Sequence, residues 1–200
     1  MHRIWVSGYR AYELEVFNDD DPKVTVIKSV IKEQLQARLN QSTDTFWLIT
    51  GPQSGIERWT LQVGLKLQSD YEQLKIGLMS PYLNVEKRWK PENQAQLSQL
   101  RSLVDYSASV SNHDYQSASQ LRDYQRFMLN HTDEMLLIYD PEMENNPEKK
   151  SKPFWDYRAA KRYAEDQDYP IMVIDFDQLQ EAAEEIAENH PEMLKRSNKS

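Results

Sequence analysis

Along the chain, short apolar runs rich in β-branched and aromatic residues recur at 3–7, 45–50, 74–79, 107–111, 134–139 and 170–174. Between them apolar residues return at helical spacing: Val24, Ile27, Ile31 and Leu35, then Ile56, Trp59, Val63 and Leu67. Leu97, Leu100 and Val104 set a third stripe, and Leu121, Tyr124 and Met128 a fourth. A last helix over 178–188 places Leu179, Ala182, Ala183 and Ile186 on one face. Each stripe is a face that must be buried. Runs of strand period separated by such stripes predict an α/β fold, a three-layer sandwich whose mostly parallel sheet of about six strands carries helices on both faces.

Length and composition narrow the class. Two hundred residues suffice for one sizeable core. The expected organisation is therefore one domain over 1–189, followed by a polar, frayed tail at 190–200. No window approaches 18 consecutive apolar residues, and Met1-His2-Arg3-Ile4-Trp5-Val6 is too short for the apolar region of a signal peptide. A cytoplasmic protein without a membrane span is expected. There is no cysteine, which excludes disulfides, thiolate nucleophiles and zinc–sulfur sites. A net charge of −8 argues against a chain whose main work is gripping nucleic acid.

The most telling local feature joins the run Phe46-Trp47-Leu48-Ile49 to the second helix: Thr50-Gly51-Pro52-Gln53-Ser54-Gly55-Ile56-Glu57. A glycine turn between strand and helix lets backbone approach a ligand, and the N–H groups and dipole of a helix start favour an anion. Ser54 followed three residues later by Glu57 is also the capping-box pattern, in which Ser54 accepts from the Glu57 N–H and Glu57 from the Ser54 N–H. Glu57 could alternatively hold ribose hydroxyls. The turn is neither a Walker A loop nor the G-x-G-x-x-G fingerprint. That excludes the standard ATP hydrolase and NAD dehydrogenase signatures.

Other candidates lie at strand ends. Ser7-Gly8-Tyr9-Arg10 closes the first strand, where Gly8 permits a tight turn and Arg10 could pair with a phosphate. Tyr82 or Trp89 could stack on a base or cover the core. Tyr139-Asp140 ends the fifth strand, and Asp140 could accept from ribose or cap the next turn. Glycines stop at Gly77, so no second glycine loop exists in the later half. The four histidines have no metal-ligand spacing and meet no triad signature; no metal and no cofactor is called for. Pro141 to Pro153, with Asn145-Asn146-Pro147 among charged residues, reads as an exposed loop, either a lid or a solvated linker. The basic stretch Lys149, Lys150, Lys152, Arg158, Lys161 and Arg162 reads as a solvated face.

Taken in order and spacing, these residues resemble the YpsA-like family of bacterial proteins, within the superfamily that joins DprA/SMF proteins with LOG-type hydrolases (SLOG). The resemblance covers residues 3–188. It rests on Ser7-Gly8-Tyr9, the Gly51 to Glu57 loop, Pro81-Tyr82 with Glu86 and Trp89, Tyr115 with Ser117 and Gln120, Tyr139-Asp140-Pro141-Glu142, and Tyr169-Pro170-Ile171. It implies a Rossmann-like domain with a pocket between the first-strand loop and the Gly51 loop for a nucleotide or nucleotide-derived ligand. LOG-type hydrolysis goes with a Pro-Gly-Gly-x-Gly-Thr-x-x-Glu segment that this chain lacks. Pro52 also removes one N–H from the loop.

Three functions follow as alternatives. The first is a ligand-binding sensor or regulator in which Gly51, Gln53 and Gly55 offer backbone to a phosphate, Thr50 leads into the turn, Ser54 and Arg10 assist, and Glu57 or Asp140 reads a ribose. The second is a nucleotide-processing hydrolase with Glu57 or Asp140 as general base. The third is a protein-interaction scaffold or DprA-like DNA binder, the latter fitting poorly with an acidic chain. A homodimer is compatible with the fold.

Overall fold

The alternation of runs and stripes folds as an α/β sandwich. The structure, a computed structural model, describes residues 1–41, 43–144 and 150–194. Six strands, β1 (His2–Gly8), β2 (Phe46–Thr50), β3 (Leu74–Ser80), β4 (Tyr106–Ser109), β5 (Glu134–Ile138) and β6 (Ile171–Ile174), form one sheet in the order β4-β3-β2-β1-β5-β6. Every neighbouring pair is parallel. Central parallel strands are covered on both faces and therefore read as unbroken apolar runs. Ile4, Trp5 and Val6 of β1 and Met135 to Ile138 of β5 are fully buried, whereas Tyr106 on edge strand β4 is half exposed.

The helices are α1 (Pro22–Leu39), α2 (Ile56–Leu67), α3 (Pro91–Leu103), α4 (Ser119–Asn130), α5 (Lys152–Ala164) and α6 (Phe176–Asn189). Contacts of α1 with α2 and α6, and of α2 with α3, assemble one layer; α4 and α5 pack together in the other. This is what right-handed crossovers produce when the strand order runs one way from β1 to β4 and then returns to β5 on the far side. Local sequence marks the starts. Asp21 accepts from the Lys23 N–H before Pro22, Ser151 accepts from the Phe154 N–H before Pro153, and Asp175 with Gln178 forms a capping box.

Three expectations change. In α4 the inward position is Gln120, not Leu121: the Gln120 amide receives the Gln116 N–H at 2.7 Å and donates to Ser111 Oγ at 2.8 Å, while Leu121 is 42% exposed. A satisfied amide takes the place that spacing assigned to a leucine. The Pro141 to Pro153 segment is only partly loop. Pro141–Met143 is a short 3-10 turn, Glu144 accepts from both the N–H and hydroxyl of Ser151, and α5 begins at Lys152. Asn145-Asn146-Pro147, Glu148 and Lys149 lie outside the described residues. Finally, the basic stretch is not wholly a solvated face, because Lys152 turns inward. Of the polar tail, Pro191–Leu194 forms a 3-10 turn and 195–200 lie outside the described residues. No helix among the described residues is long and apolar enough to cross a membrane.

Candidate functional site

The strand order reverses between β1 and β5, and in open parallel sheets ligands gather at the carboxyl ends of strands near such a reversal. Ser7, near the end of β1 and opposite Leu137 of β5, opens a chain of buried polar groups there. Lys152 Nζ donates to Ser7 Oγ and to Asp156 Oδ2, each at 2.6 Å, and lies 2.8 Å from Glu57 Oε1. Ser7 Oγ donates onward to Asp156 Oδ2 at 2.7 Å, and Gln125 Nε2 donates to Asp156 Oδ1 at 2.8 Å. The ammonium thus donates to two acceptors and is ion-paired with a third oxygen. Burial alone would lower the Lys152 pKa, but Asp156 and Glu57 outweigh it and raise the group well above its ordinary value. The lysine is a fixed cation between two carboxylates.

This cluster borders a first cleft of about 350 Å³. Pro52, Pro81, Leu121 and Trp155 give it apolar walls, and its charged lining is Glu57, Asp156, Lys152, Arg10 and Arg122. Tyr124 also lines it; its hydroxyl is buried without a hydrogen-bond partner. Burial, reinforced by Glu57 and Asp156, raises the Tyr124 pKa far above the phenol range, so the group is a neutral donor.

Glu57 reaches this place through the glycine turn. Glu57 Oε2 accepts from the Gln53 N–H at 2.9 Å, and a Cβ on Gly51 would fall 2.4 Å from the same carboxylate. The expected capping box between Ser54 and Glu57 is not formed: the residue preceding α2 is Gly55, and no side chain caps that helix. Glu57 is drawn instead toward Lys152, a partner distant in sequence whose charge outweighs a local amide. Gly55 has φ 102°, and a Cβ there would lie 2.5 Å from Tyr9 O and Ala11 N. Only glycine suits both demands. The close approach lets the two loops join: the Ala11 N–H donates to Ser54 O and the Ile56 N–H to Tyr9 O, each at 3.1 Å. Gly8 is packed as tightly, since its Cβ would lie 2.7 Å from Ile56.

On the other side of this seam lies a second cleft of about 600 Å³. Arg10 and Gln53 border both clefts. Among the described residues, Arg10, Arg58, Arg88 and Lys90 bring four cations to the second cleft against the single acid Asp19, and Ser54, Gly55 and Trp89 line it too. Arg58 is 4% exposed. Its Nη1 donates to Asn93 Oδ1 and Gln96 Oε1, both at 2.8 Å, and its guanidinium lies 5.6 Å from the Trp89 ring centre.

The remaining candidates fall elsewhere. Thr50 is buried and donates to Val6 O at 2.6 Å. Tyr9 and Tyr139 are core residues in ring contact; Tyr9 OH receives the Asp140 N–H at 3.1 Å, and burial pushes its pKa up to about 12. Asp140 caps: Oδ1 accepts from the Glu142 N–H at 2.9 Å and Oδ2 from the Phe176 N–H at 3.4 Å. Tyr82 packs against Tyr115 with ring centres 5.2 Å apart. Asp140, Tyr139, Tyr9 and Tyr82 border neither cleft.

Sequence reasoning missed Lys152, Asp156, Tyr124, Trp155 and Arg58. A signal existed for the first pair. Ser151-Lys152-Pro153 has the serine cap and early proline of a helix start, which puts Lys152 and Asp156 one turn apart on one face. Arg58 sits in a helix whose neighbours Ile56, Glu57, Trp59, Thr60 and Leu61 are all buried, but only the neighbouring α3 explains what holds it.

Fold and crevice together define a Rossmann-like α/β protein with its cavities at the carboxyl end of a parallel sheet. Comparison with known proteins adds the lineage. Residues 4–179 match the family described as "YspA SLOG family" (YpsA), and the chain belongs to it. A UPF0398 protein of Limosilactobacillus reuteri (strain DSM 20016) is 50% identical over 192 residues, spanning 96% of this chain and 98% of its own. UPF0398 proteins of Lactobacillus gasseri and Levilactobacillus brevis are 46% and 47% identical, covering 95% and 94% of this chain and 96% of each relative.

Proposed function

We propose that the crevice holds a small nucleotide-like ligand and that the protein works as a binding or sensing protein. One observation carries this reading: a carboxylate-bearing cleft with apolar walls and a cation-rich cleft share Arg10 and Gln53 as a common wall. Apolar walls with a few placed polar groups suit a ring and its sugar hydroxyls; a cationic recess beside a helix start suits phosphate. The engagement of Glu57 supports binding over base catalysis. One of its oxygens faces the Lys152 ammonium and the other holds the Gln53 N–H.

The test is a thermal-shift screen with nucleotides, nucleotide sugars, NAD and ADP-ribose. A ligand specific to the native state stabilises it by about 2.7 kcal/mol at 100 times its Kd, enough to read directly. At least one nucleotide should raise the midpoint, and Arg10→Gln should weaken that effect while the unliganded fold survives. Gly55→Arg is the poorer variant, since any side chain there collides with Tyr9 and Ala11 backbone. A flat response across the whole panel would remove the reading.

A further inference from the structure

Buried charges normally come with an opposite charge or a full set of hydrogen bonds. Arg58 has neither. Its Nη1 is held by two neutral amides, Asn93 and Gln96, while Nε and Nη2 are buried with no hydrogen-bond partner. Among the described residues no carboxylate forms an ion pair with it, and Asp19, the sole acid among them bordering the cleft, receives the Trp59 Nε1–H at 3.4 Å. The ordinary alternative, an arginine stacked on tryptophan for packing, explains the contact with Trp89 but not three guanidinium protons withdrawn from water without acceptors. Arg10, Arg88 and Lys90 add positive charge around it in a chain whose net charge is −8. Ser54 and Gly55, at the start of α2, line the same recess.

We infer that Arg58 anchors an anion subsite in this second cleft, one that takes a phosphate or pyrophosphate group. This deepens the nucleotide reading above and rests on it only for what the phosphate is attached to. A planar guanidinium carries Nε and Nη2 on one edge, which matches two oxygens of a phosphate once a turn of the side chain brings that edge to the cleft. Consistently, burial lowers the Arg58 pKa and Asp19 only partly offsets it, as expected of a cation lacking its counter-ion. The first cleft then takes the remainder of the ligand, with Arg10 and Gln53 between the two.

Inorganic phosphate and pyrophosphate are the probes, titrated at constant ionic strength against wild type, Arg58→Met and Asn93→Asp, with binding read by calorimetry and midpoint by thermal shift. Wild type should bind pyrophosphate, and Arg58→Met should lower that affinity at least tenfold. Asn93→Asp places a carboxylate on the Nη1 side of Arg58. It should raise the midpoint without anion and abolish the further rise that pyrophosphate causes, which keeps the idea testable even if Arg58→Met folds poorly. Pyrophosphate affinity within twofold of wild type in both variants would overturn the subsite, and the nucleotide reading would survive if nucleotides still bound. Conversely, pyrophosphate binding that depends on Arg58, with no nucleotide binding tighter than pyrophosphate, would uphold the subsite and overturn that reading. Absence of binding by every probe and nucleotide would remove both.

Discussion

The two clefts hold buried cations in opposite states. Lys152 sits between Glu57 and Asp156, and its pKa rises despite burial; Arg58 sits between two amides, and its pKa falls because of burial. The difference shows how a folded chain separates charge that holds it together from charge available to something else. A cation whose charge is met by the protein's own carboxylates is structure. One whose donors have no acceptor carries a desolvation penalty that an external anion relieves. A shared polarity of composition conceals this contrast, since both residues are basic positions near helix starts.

The contrast can be broken most forcefully at Lys152. Lys152→Met leaves two carboxylates buried without their cation, and removing one member of such a group destabilises by about 3–5 kcal/mol. Urea unfolding at neutral pH should show a loss of that size. A loss below about 1 kcal/mol would mean the cluster is not the compensated side of the comparison. In wild type, Lys152 has a raised folded pKa. Its contribution is therefore complete below the unfolded value of about 10.4 and is lost as pH climbs through the folded value. Tyr9, pushed up to about 12 by burial, acts in the same direction: the unfolded chain ionises first, and stability falls above about pH 10. An alkaline limb should accordingly be steep, and Tyr9→Phe should flatten part of it.

A smaller effect is expected outside both clefts. Asp140→Ala removes acceptors for two backbone N–H groups and should lower stability by about 1 kcal/mol, as loss of a helix or turn cap does. Nucleotide and pyrophosphate binding should be unchanged in that variant; a tenfold loss in calorimetry would move Asp140 into the site. The smallest stability change belongs to Trp155→Ala. With half of its surface exposed, Trp155 should contribute within about 0.5 kcal/mol to folding, yet its place on the first cleft predicts weaker nucleotide binding with pyrophosphate affinity intact. Equal loss for both ligands would erase the division of labour between the clefts.

The architecture was legible because period and burial coincide in it. All six runs became strands, displaced by one or two residues at most, since fully buried central strands need unbroken apolar stretches and helices between them need one apolar face. The crevice was legible only where it depends on local chemistry. The glycine turn could be located, but not that Gly51 makes room for the Glu57 carboxylate or that Gly55 is pressed against Tyr9 and Ala11. The first depends on the pull of Lys152 on Glu57 from 95 residues away, and the second on contacts across more than 40 residues. Lys152 was hidden for a further reason. Its partners lie 95 and 145 positions earlier as well as at Asp156, and an isolated basic stretch carries no trace of them. For Asp140 the sequence left ribose contact and turn cap open, because a strand-end Asp looks the same whether it caps a turn or faces a sugar; here it accepts from the Glu142 and Phe176 N–H groups.

Arg10 and Gln53 form a partition wall, and a partition obeys reciprocity. An occupant of one cleft that shifts Arg10 changes the free energy of filling the other, and the change must be equal in both directions. The seam between Arg10 and Gly55, a single antiparallel bridge, sets how far that wall can yield. Two fragments bound together should therefore not contribute independently: the departure of their combined affinity from additivity is the coupling free energy carried across that wall.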